Sequence, residues 1–483
     1  MSLEAAATSR PRVLLVSANR ERQPFPVVPN GVACVASALE AAGNRVRVED
    51  LCFARDPHVG ARKTVREFRP DVIGISVRNI DNSDLVALRH YTPEAAGILN
   101  TLRASAPRAA IIAGGAAFGV APEGLLNALE VNHAVAGDGE RATVALIDAL
   151  AAGRTPAGIA GVVHRENGTV KVTPPGGDAD IDALPTVNMD RWIDLASYER
   201  HGGTVPIQTK RGCVFKCVYC TYLNVEGWGY RLRSPELVAD EMERLHRKAG
   251  ITHFEFVDST FNAPPRHAAE ICESIIRRKL RVQLDTTNFT PASAPDYLLG
   301  AMRRAGFGWL GITAESASDA VLERMQKGFD SARVRAVAED VERAGIAVLW
   351  VFLIGGPGET AATIEETLKF AEWRLRHGDA VYVTVGVRVY PGTAMRRIAI
   401  EEGVIEQDDP LLAPTFYLSP QLRLEGTVRR LHEFASAHPR FMFSADSRSR
   451  LLPYLTGLAS LLRLPRPHWR YMGVFQRLAR AIE

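Results

Sequence analysis

The 483 residues include only six cysteines, and aromatic side chains make up 7% of the chain. So few cysteines in a chain this long make no disulfide framework, and the scattered Cys34, Cys52 and Cys272 read as small core residues. No run of about 18 apolar residues occurs, so no membrane-spanning helix and no stable membrane insertion are expected. Residues 1–11 carry no signal-peptide pattern, and a reducing cytoplasm is the expected location. Neither sign of charge is in excess: 58 basic and 55 acidic residues leave +3, which points to no nucleic-acid or membrane partner. There is no internal repeat and no low-complexity segment. At 46% hydrophobic residues the chain can bury a sizeable core, and its length suggests about three domains.

What is present is concentrated in one run, Thr209-Lys210-Arg211-Gly212-Cys213-Val214-Phe215-Lys216-Cys217-Val218-Tyr219-Cys220. Three thiols lie within eight residues and no fourth cysteine is near. Iron-sulfur clusters normally take four cysteinates, so a three-cysteine loop leaves one iron of a four-iron cluster open to another ligand. Structural zinc is the bland alternative, completed by His201, His246 or His253, but it usually draws on paired C-x-x-C or C/H elements that are missing here.

The C-x-x-x-C-x-x-C spacing with Tyr219 before the last cysteine resembles the signature of radical S-adenosylmethionine (SAM) enzymes. Its context agrees, since residues 205–209 read as a strand before the loop and 234–248 as a helix after it. The resemblance implies that Cys213, Cys217 and Cys220 hold a 4Fe-4S cluster. Its open iron would chelate SAM, and an electron would cleave SAM to a 5'-deoxyadenosyl radical. The electron donor would be a protein such as flavodoxin or ferredoxin.

Upstream, apolar runs alternate with helical patterns: strands at 12–17, 45–49, 71–77, 109–113 and 134–135, and helices at 31–42, 93–104 and 122–128. Five strands with crossover helices make a doubly wound, Rossmann-like domain whose ligand sits beyond the carboxyl ends of the strands. The loops there contain Ser17, then Ser76 with Arg78, Asn79 and Asp81, then Gly114-Gly115, then Gly137 to Glu140. Alone, such glycines are ordinary turn chemistry. With the cysteine loop downstream, the set resembles the cobalamin-binding domain of cobalamin-dependent radical SAM enzymes, a resemblance that spans nearly the whole chain. Many such domains place D-x-H-x-x-G after the first strand. Here that loop reads Ser17-Ala18-Asn19-Arg20-Glu21-Arg22, and Asp56-Pro57-His58-Val59-Gly60 has the wrong spacing. The expectation is a cobalamin without a histidine ligand from this chain, its lower face covered by the loop with Arg78, Asn79 and Asp81. The competing reading of Arg78 is an ion pair with Asp81 or Asp84.

The expected organisation is α/β: a cobalamin-binding domain over residues 1–150, a linker with a small hairpin over 151–200, a partial (β/α)6 barrel of the TIM type over 201–400, and a mostly helical cap over 401–483. Barrel strands are expected at 205–209, 252–257, 282–286, 309–313, 347–354 and 380–389, with chemistry at their carboxyl ends. The resemblance puts Asp258 and Ser259 on the SAM amino group, Glu315 and Ser316 on its ribose or methionine part, and Gly355-Gly356 under its adenine, with Tyr390 closing the barrel. Asp258 read alone is a helix N-cap, and Glu359 an acid in a first helical turn. The implied reaction is methylation of an unactivated carbon of a small-molecule substrate, a natural product or lipid-like compound. Cyclisation or rearrangement without methyl transfer is the nearest rival. A corrinoid carrier or sensor and a transfer-RNA-modifying enzyme stand further off. The residues name no acid or base.

Overall fold

The computed structural model describes residues 10–22, 25–177 and 180–444, with scattered positions beyond 444. Its first sheet holds β1 (Arg12–Ser17), β2 (Arg45–Asp50), β3 (Val72–Ser76), β4 (Ala110–Gly114), β5 (His133–Val135), β6 (Val162–Glu166) and β7 (Thr169–Val172), in the order β2-β1-β3-β4-β5-β6-β7. The first five are parallel. In β1, Leu14 and Val16 enter one core while Val13 and Leu15 enter another, which is why every position in that run is apolar.

Three helices join those read from the pattern: Pro57–Phe68, Ala116–Val120 and Gly139–Ala151. The first starts where Asp56 accepts the N–H groups of His58 and Val59, with Pro57 in the first turn. The near match to a cobalt motif at 56–60 is therefore a helix start, and His58 Nδ1 lies 2.7 Å from Thr101 Oγ1. The hairpin expected in a linker instead pairs β6 antiparallel on β5 and widens the first sheet.

The second sheet follows from β8 (Val205–Ile207). A two-stranded ribbon of β9 (Lys210–Arg211) and β10 (Arg231–Leu232) brackets the cysteine loop. Then come β11 (His253–Phe256), β12 (Gln283–Phe289), β13 (Phe307–Glu315), β14 (Ala347–Ile354) and β15 (Ala380–Val385), a second ribbon of β16 (Val387–Arg388) and β17 (Phe416–Tyr417), and finally β18 (Phe441–Phe443). The order β18-β15-β14-β13-β12-β11-β8 is parallel throughout, a partial barrel. The six expected strands are present. The seventh comes from the region expected to be mostly helical, where the helix Leu424–Ala437 delivers it to the edge of β15. Along β14, Val348, Trp350, Phe352 and Ile354 pack under the helices while Leu349 and Val351 face the other side half-buried. The basic stretch 461–471, expected to cap the barrel mouth, lies almost wholly outside the described residues. Among the described residues no helix is long and apolar enough to cross a membrane.

Candidate active site

The cysteine loop is held at both ends. Gly212 stands at φ +85°, and a Cβ there would lie 1.9 Å from the Gly229 carbonyl oxygen, so only glycine fits. Cys213 donates its N–H to the Gly227 carbonyl and accepts from Gly229 N–H, at 3.3 and 3.0 Å. Farther on, Val218 donates to the Met325 carbonyl and accepts from Met395 N–H, at 3.1 and 2.8 Å. Asp258 corrects its expected role. It is fully buried, and its oxygens accept from Thr209 N–H at 2.7 Å, Thr209 Oγ1 at 2.5 Å, Lys210 N–H at 3.2 Å and Lys210 Nζ at 3.2 Å. The carboxylate pins the strand that enters the loop and is shut off from any ligand amine. Ser259 likewise donates to the Gly212 carbonyl at 2.7 Å.

Lys210, to which the sequence reading gave no role, is as buried as Asp258 and also donates to the Phe261 carbonyl at 2.8 Å. Burial lowers its pKa against the pull of Asp258. Its sequence signal was weak: a lysine beside Arg211 in the two-residue strand β9, three residues before the first cysteine.

Burial pushes the free Cys220 thiol up to about 12 and raises Cys217, so a bound metal is needed to hold them as thiolates. Among the described residues no three Cys, His, Asp or Glu side chains converge on a single ion. Cys217 and Cys220 each lie close enough to Cys213 to feel its charge, and a cluster takes one thiolate per iron. The histidines offered for zinc are engaged elsewhere: His201 stacks on Phe53, His246 Nδ1 faces the Ile251 carbonyl at 2.7 Å, and His253 Nε2 meets Asp285 at 2.6 Å.

Around the last cysteine, Tyr219 donates to Glu315 Oε1 at 2.9 Å, and Lys327 Nζ donates to the Tyr219 hydroxyl at 2.9 Å while standing 3.6 Å from Glu315. Glu315 adopts φ +67°, a strained backbone that places its carboxylate at the mouth end of β13. Lys327 escaped the sequence reading because the turn that carries it lies twelve residues past Glu315. Ser316 departs from expectation: it is fully buried, 3.3 Å from Thr367 Oγ1, and accepts from Ser318 N–H. Gly355 and Gly356 turn their N–H groups onto Glu359 Oε2, at 2.7 and 3.2 Å. Glu359 is thus the buried clasp of this loop, pushed up to about 7 by burial, and Thr360 with Thr363 forms the capping box of the next helix. A Cβ on Gly355 would lie 2.6 Å from Leu418 Cδ1, so the loop is packed to the backbone.

The first sheet contributes a cavity of about 250 Å³ beyond its strand ends. Ser76, Gly114, Gly115, Gly137 and Glu140 line it together with Leu15, Val16 and Val32, and the barrel side adds Gln208, Arg211, Val225 and Glu226. Gly115 stands at φ +99° with its Cβ position 2.4 Å from the Val77 carbonyl oxygen. Glu140 also grips Arg211 at 2.5 Å; burial works to lower the guanidinium pKa, but Glu140 and Asp138 outweigh it and raise it. Ser17 is not on the cavity: it is buried, with its hydroxyl on Asp50. Asp81 is a second correction. Its carboxylate is buried and accepts from Arg388 Nε at 2.8 Å and Ser83 N–H at 2.8 Å, with Tyr390 OH at 3.4 Å. Tyr390 therefore belongs to a seam between the two sheets, also touching Ser83 Oγ at 2.8 Å. Asp84 caps its own turn through Val86 and Ala87 N–H. Both proposed partners of Arg78 are thus taken, and Arg78 and Asn79 stand exposed on the loop after β3.

Family models match both halves: the radical SAM superfamily over residues 207–371 and the B12 binding domain over residues 16–147. The chain belongs to the cobalamin-dependent radical SAM family. An uncharacterized methyltransferase of Pyrococcus horikoshii is 29% identical over 78% of this chain and 79% of its own length. A tryptophan 2-C-methyltransferase of Streptomyces laurentii is 25% identical over 89% and 81%. The solved radical SAM methyltransferase TsrM of Kitasatospora setae, with cobalamin and a 4Fe-4S cluster bound, superimposes with a TM-score of 0.84 at 24% identity, covering 98% of this chain and 100% of that one.

The cofactors of this radical SAM family member are a 4Fe-4S cluster, SAM and cobalamin. The residues fit them. Three thiols in one loop suit the cluster, and a largely apolar slot in which Gly74, Gly115 and Gly137 have no room for a Cβ suits a flat, bulky corrinoid. Two further acids emerge from the fold alone. Glu226 accepts from Gly212 N–H at 3.0 Å and Gln208 Nε2 at 3.1 Å, and burial pushes it up to about 7. Glu255 faces the barrel interior from β11 with Thr204 Oγ1 at 2.6 Å and Thr287 Oγ1 at 3.0 Å, and is pushed up to about 7 in the same way.

Proposed function

We propose that this enzyme transfers a methyl group from SAM, by way of cobalamin, to an unactivated carbon of a small molecule, a natural product or lipid-like compound. The observation that carries this reading is the shared cavity: its walls come from both sheets, and its barrel wall, Arg211 and Glu226, adjoins Gly212 of the cysteine loop. When bound, the cluster and SAM supply a radical at the substrate carbon, and the corrin supplies the methyl group.

The chain's own residues would divide the remaining work. Cys213, Cys217 and Cys220 hold the cluster, while Asp258, Lys210 and Ser259 fix the strand and turn that present them. Glu315, oriented by Tyr219 and Lys327, takes the hydroxyl or amine part of SAM, and the packed Gly355-Gly356 backbone supports its adenine. Ser76, Gly114, Gly115 and Gly137 receive the corrinoid. Arg78 and Asn79, exposed on the loop after β3, would help hold the corrinoid, with Arg78 placing a cation beside it. The electron would come from flavodoxin or ferredoxin, in the cytoplasm, and no nucleic acid takes part.

The test is anaerobic turnover with methyl-labelled SAM and a small-molecule extract of the source cells. The expected result is 5'-deoxyadenosine together with one metabolite that gains the label, both absent in Cys217→Ala. 5'-Deoxyadenosine without label transfer to any metabolite would instead select cyclisation or rearrangement.

A further inference from the structure

The interior of the partial barrel is not filled. In closed barrels of this type, branched side chains stack in layers across the middle. Here the amino end is packed in that way, where Trp309 meets Ala380 and Met442. Above that floor the inward positions Glu255, Thr287, Thr313, Val351, Leu353 and Thr384 are only half-buried, while the outward positions that alternate with them on β14 and β15, such as Phe352 and Val383, are buried. This hollow lies where the two halves of the chain converge. Leu353 packs in one cluster with Val218 and Tyr219 of the cysteine loop. From the first sheet, Leu85 reaches Gly386 at the end of β15, so closely that a Cβ there would lie 2.7 Å from its Cδ2.

The charge of the hollow is one-sided. The seven strands of the barrel sheet carry three acids and neither lysine nor arginine. Two of the acids are matched: Asp285 meets His253 at 2.6 Å, and Glu315 has Lys327 at 3.6 Å. Glu255 has only the hydroxyls of Thr204 and Thr287. Among the described residues no lysine or arginine lies within ion-pair distance of it, and the Arg78 guanidinium acts on it from farther off. Burial and then Asp285 push its carboxyl up to about 7. A desolvated carboxylate without a cation is costly to keep charged; an incoming ammonium group would offset that cost, and an anion would add to it.

We infer that Glu255 is the substrate anchor of this barrel and that the substrate is an amine, its apolar body lying along Val351 and Leu353 and its ammonium group on the Glu255 carboxylate. This deepens the proposed function and rests on it in taking the barrel interior for the substrate site. Phosphorylated and other anionic compounds are refused by the same wall.

The experiment measures, by equilibrium dialysis on the reconstituted enzyme with cobalamin and SAM, the binding of three probes that share one apolar body: phenylpropylamine, phenylpropanol and phenylbutyrate. The wild type should hold the amine about tenfold more tightly than the alcohol, and the acid more weakly than either. In Glu255→Gln, which can keep both threonine contacts, amine binding should fall about tenfold to the level of the alcohol, with alcohol binding, iron, sulfide and corrin absorbance unchanged. Thr287→Val removes a partner but leaves the carboxylate, so it should keep the preference for the amine. The wild-type series decides the matter even where Glu255→Gln fails to load its cofactors. Amine and alcohol held alike by the wild type, or an undiminished amine preference in Glu255→Gln, would overturn the anchor and leave the proposed function standing. A labelled metabolite without a basic nitrogen would overturn it too. An amine preference abolished by Glu255→Gln, in an enzyme that passes label to no metabolite, would keep the anchor and bring down methyl transfer.

Discussion

At the residue scale, the buried Asp258–Lys210 pair is the most consequential contact, because it fixes the start of the cysteine loop without touching any ligand. Neither partner tolerates being left alone. Asp258→Asn should lower stability by about 3–5 kcal/mol, the usual effect of leaving one buried charge uncompensated. Chemical unfolding reads the loss, and iron content after reconstitution should fall with it; the double variant Asp258→Asn, Lys210→Met should recover part of the stability. The run 209–220 was fully legible as a ligand loop. The pair was not, since 48 residues separate Asp258 from Lys210 and only the parallel pairing of β8 with β11 brings them together.

Glu359 gives a prediction in pH. Its folded pKa is raised from 4.5 to about 7, so the protonated form is favoured in the folded state. The stability this confers is complete below 4.5 and is lost as pH rises through about 7, a decline on the order of 3 kcal/mol for such a displacement. Glu359→Gln lacks this term, so the stability of the wild type relative to the variant should fall across that interval and then level off. A flat difference in urea midpoints between pH 4.5 and 8 would contradict the buried clasp.

At the scale of elements, glycine positions set how closely loops approach one another. Gly115→Ala would drive a methyl group into the Val77 carbonyl. The variant should fold, with the loop after β4 displaced, and should lose corrinoid absorbance after loading while keeping its iron and sulfide. The strands were readable because buried parallel strands are continuous apolar runs, as in Val72-Ile73-Gly74-Ile75. The helix Pro57–Phe68 carried a readable start at Asp56-Pro57, yet its mean hydropathy is low and its apolar positions are sparse, so periodicity alone passed over it. The hairpin β6–β7 was readable as a hairpin, but nothing local says which sheet edge it joins.

At the scale of the whole molecule, the two halves are joined by polar contacts that no local pattern announces. Asp81 and Arg388 lie 307 positions apart and are both buried. Tyr198 reaches Asp50 at 2.6 Å, and Arg231 reaches Asp138. Because the cavity takes walls from both halves, Arg388→Ala should weaken cobalamin retention as well as lower the unfolding midpoint, by about 3–5 kcal/mol for an orphaned buried carboxylate. Gel filtration of the loaded variant followed by corrin absorbance tests the coupling. Retention equal to wild type at full loading would mean that the halves hold the corrinoid independently.

The seventh barrel strand has an implication for how the chain must be made. β15 stays an open edge until residues 441–443 arrive, so a ribosome has to release the chain past residue 443 before that row of amides and carbonyls finds its neighbour. A nascent chain halted near residue 430 would present a bare, β-branched rim built from Val381, Val383 and Val385. Such a product should cling to its own copies, and the completed protein should not.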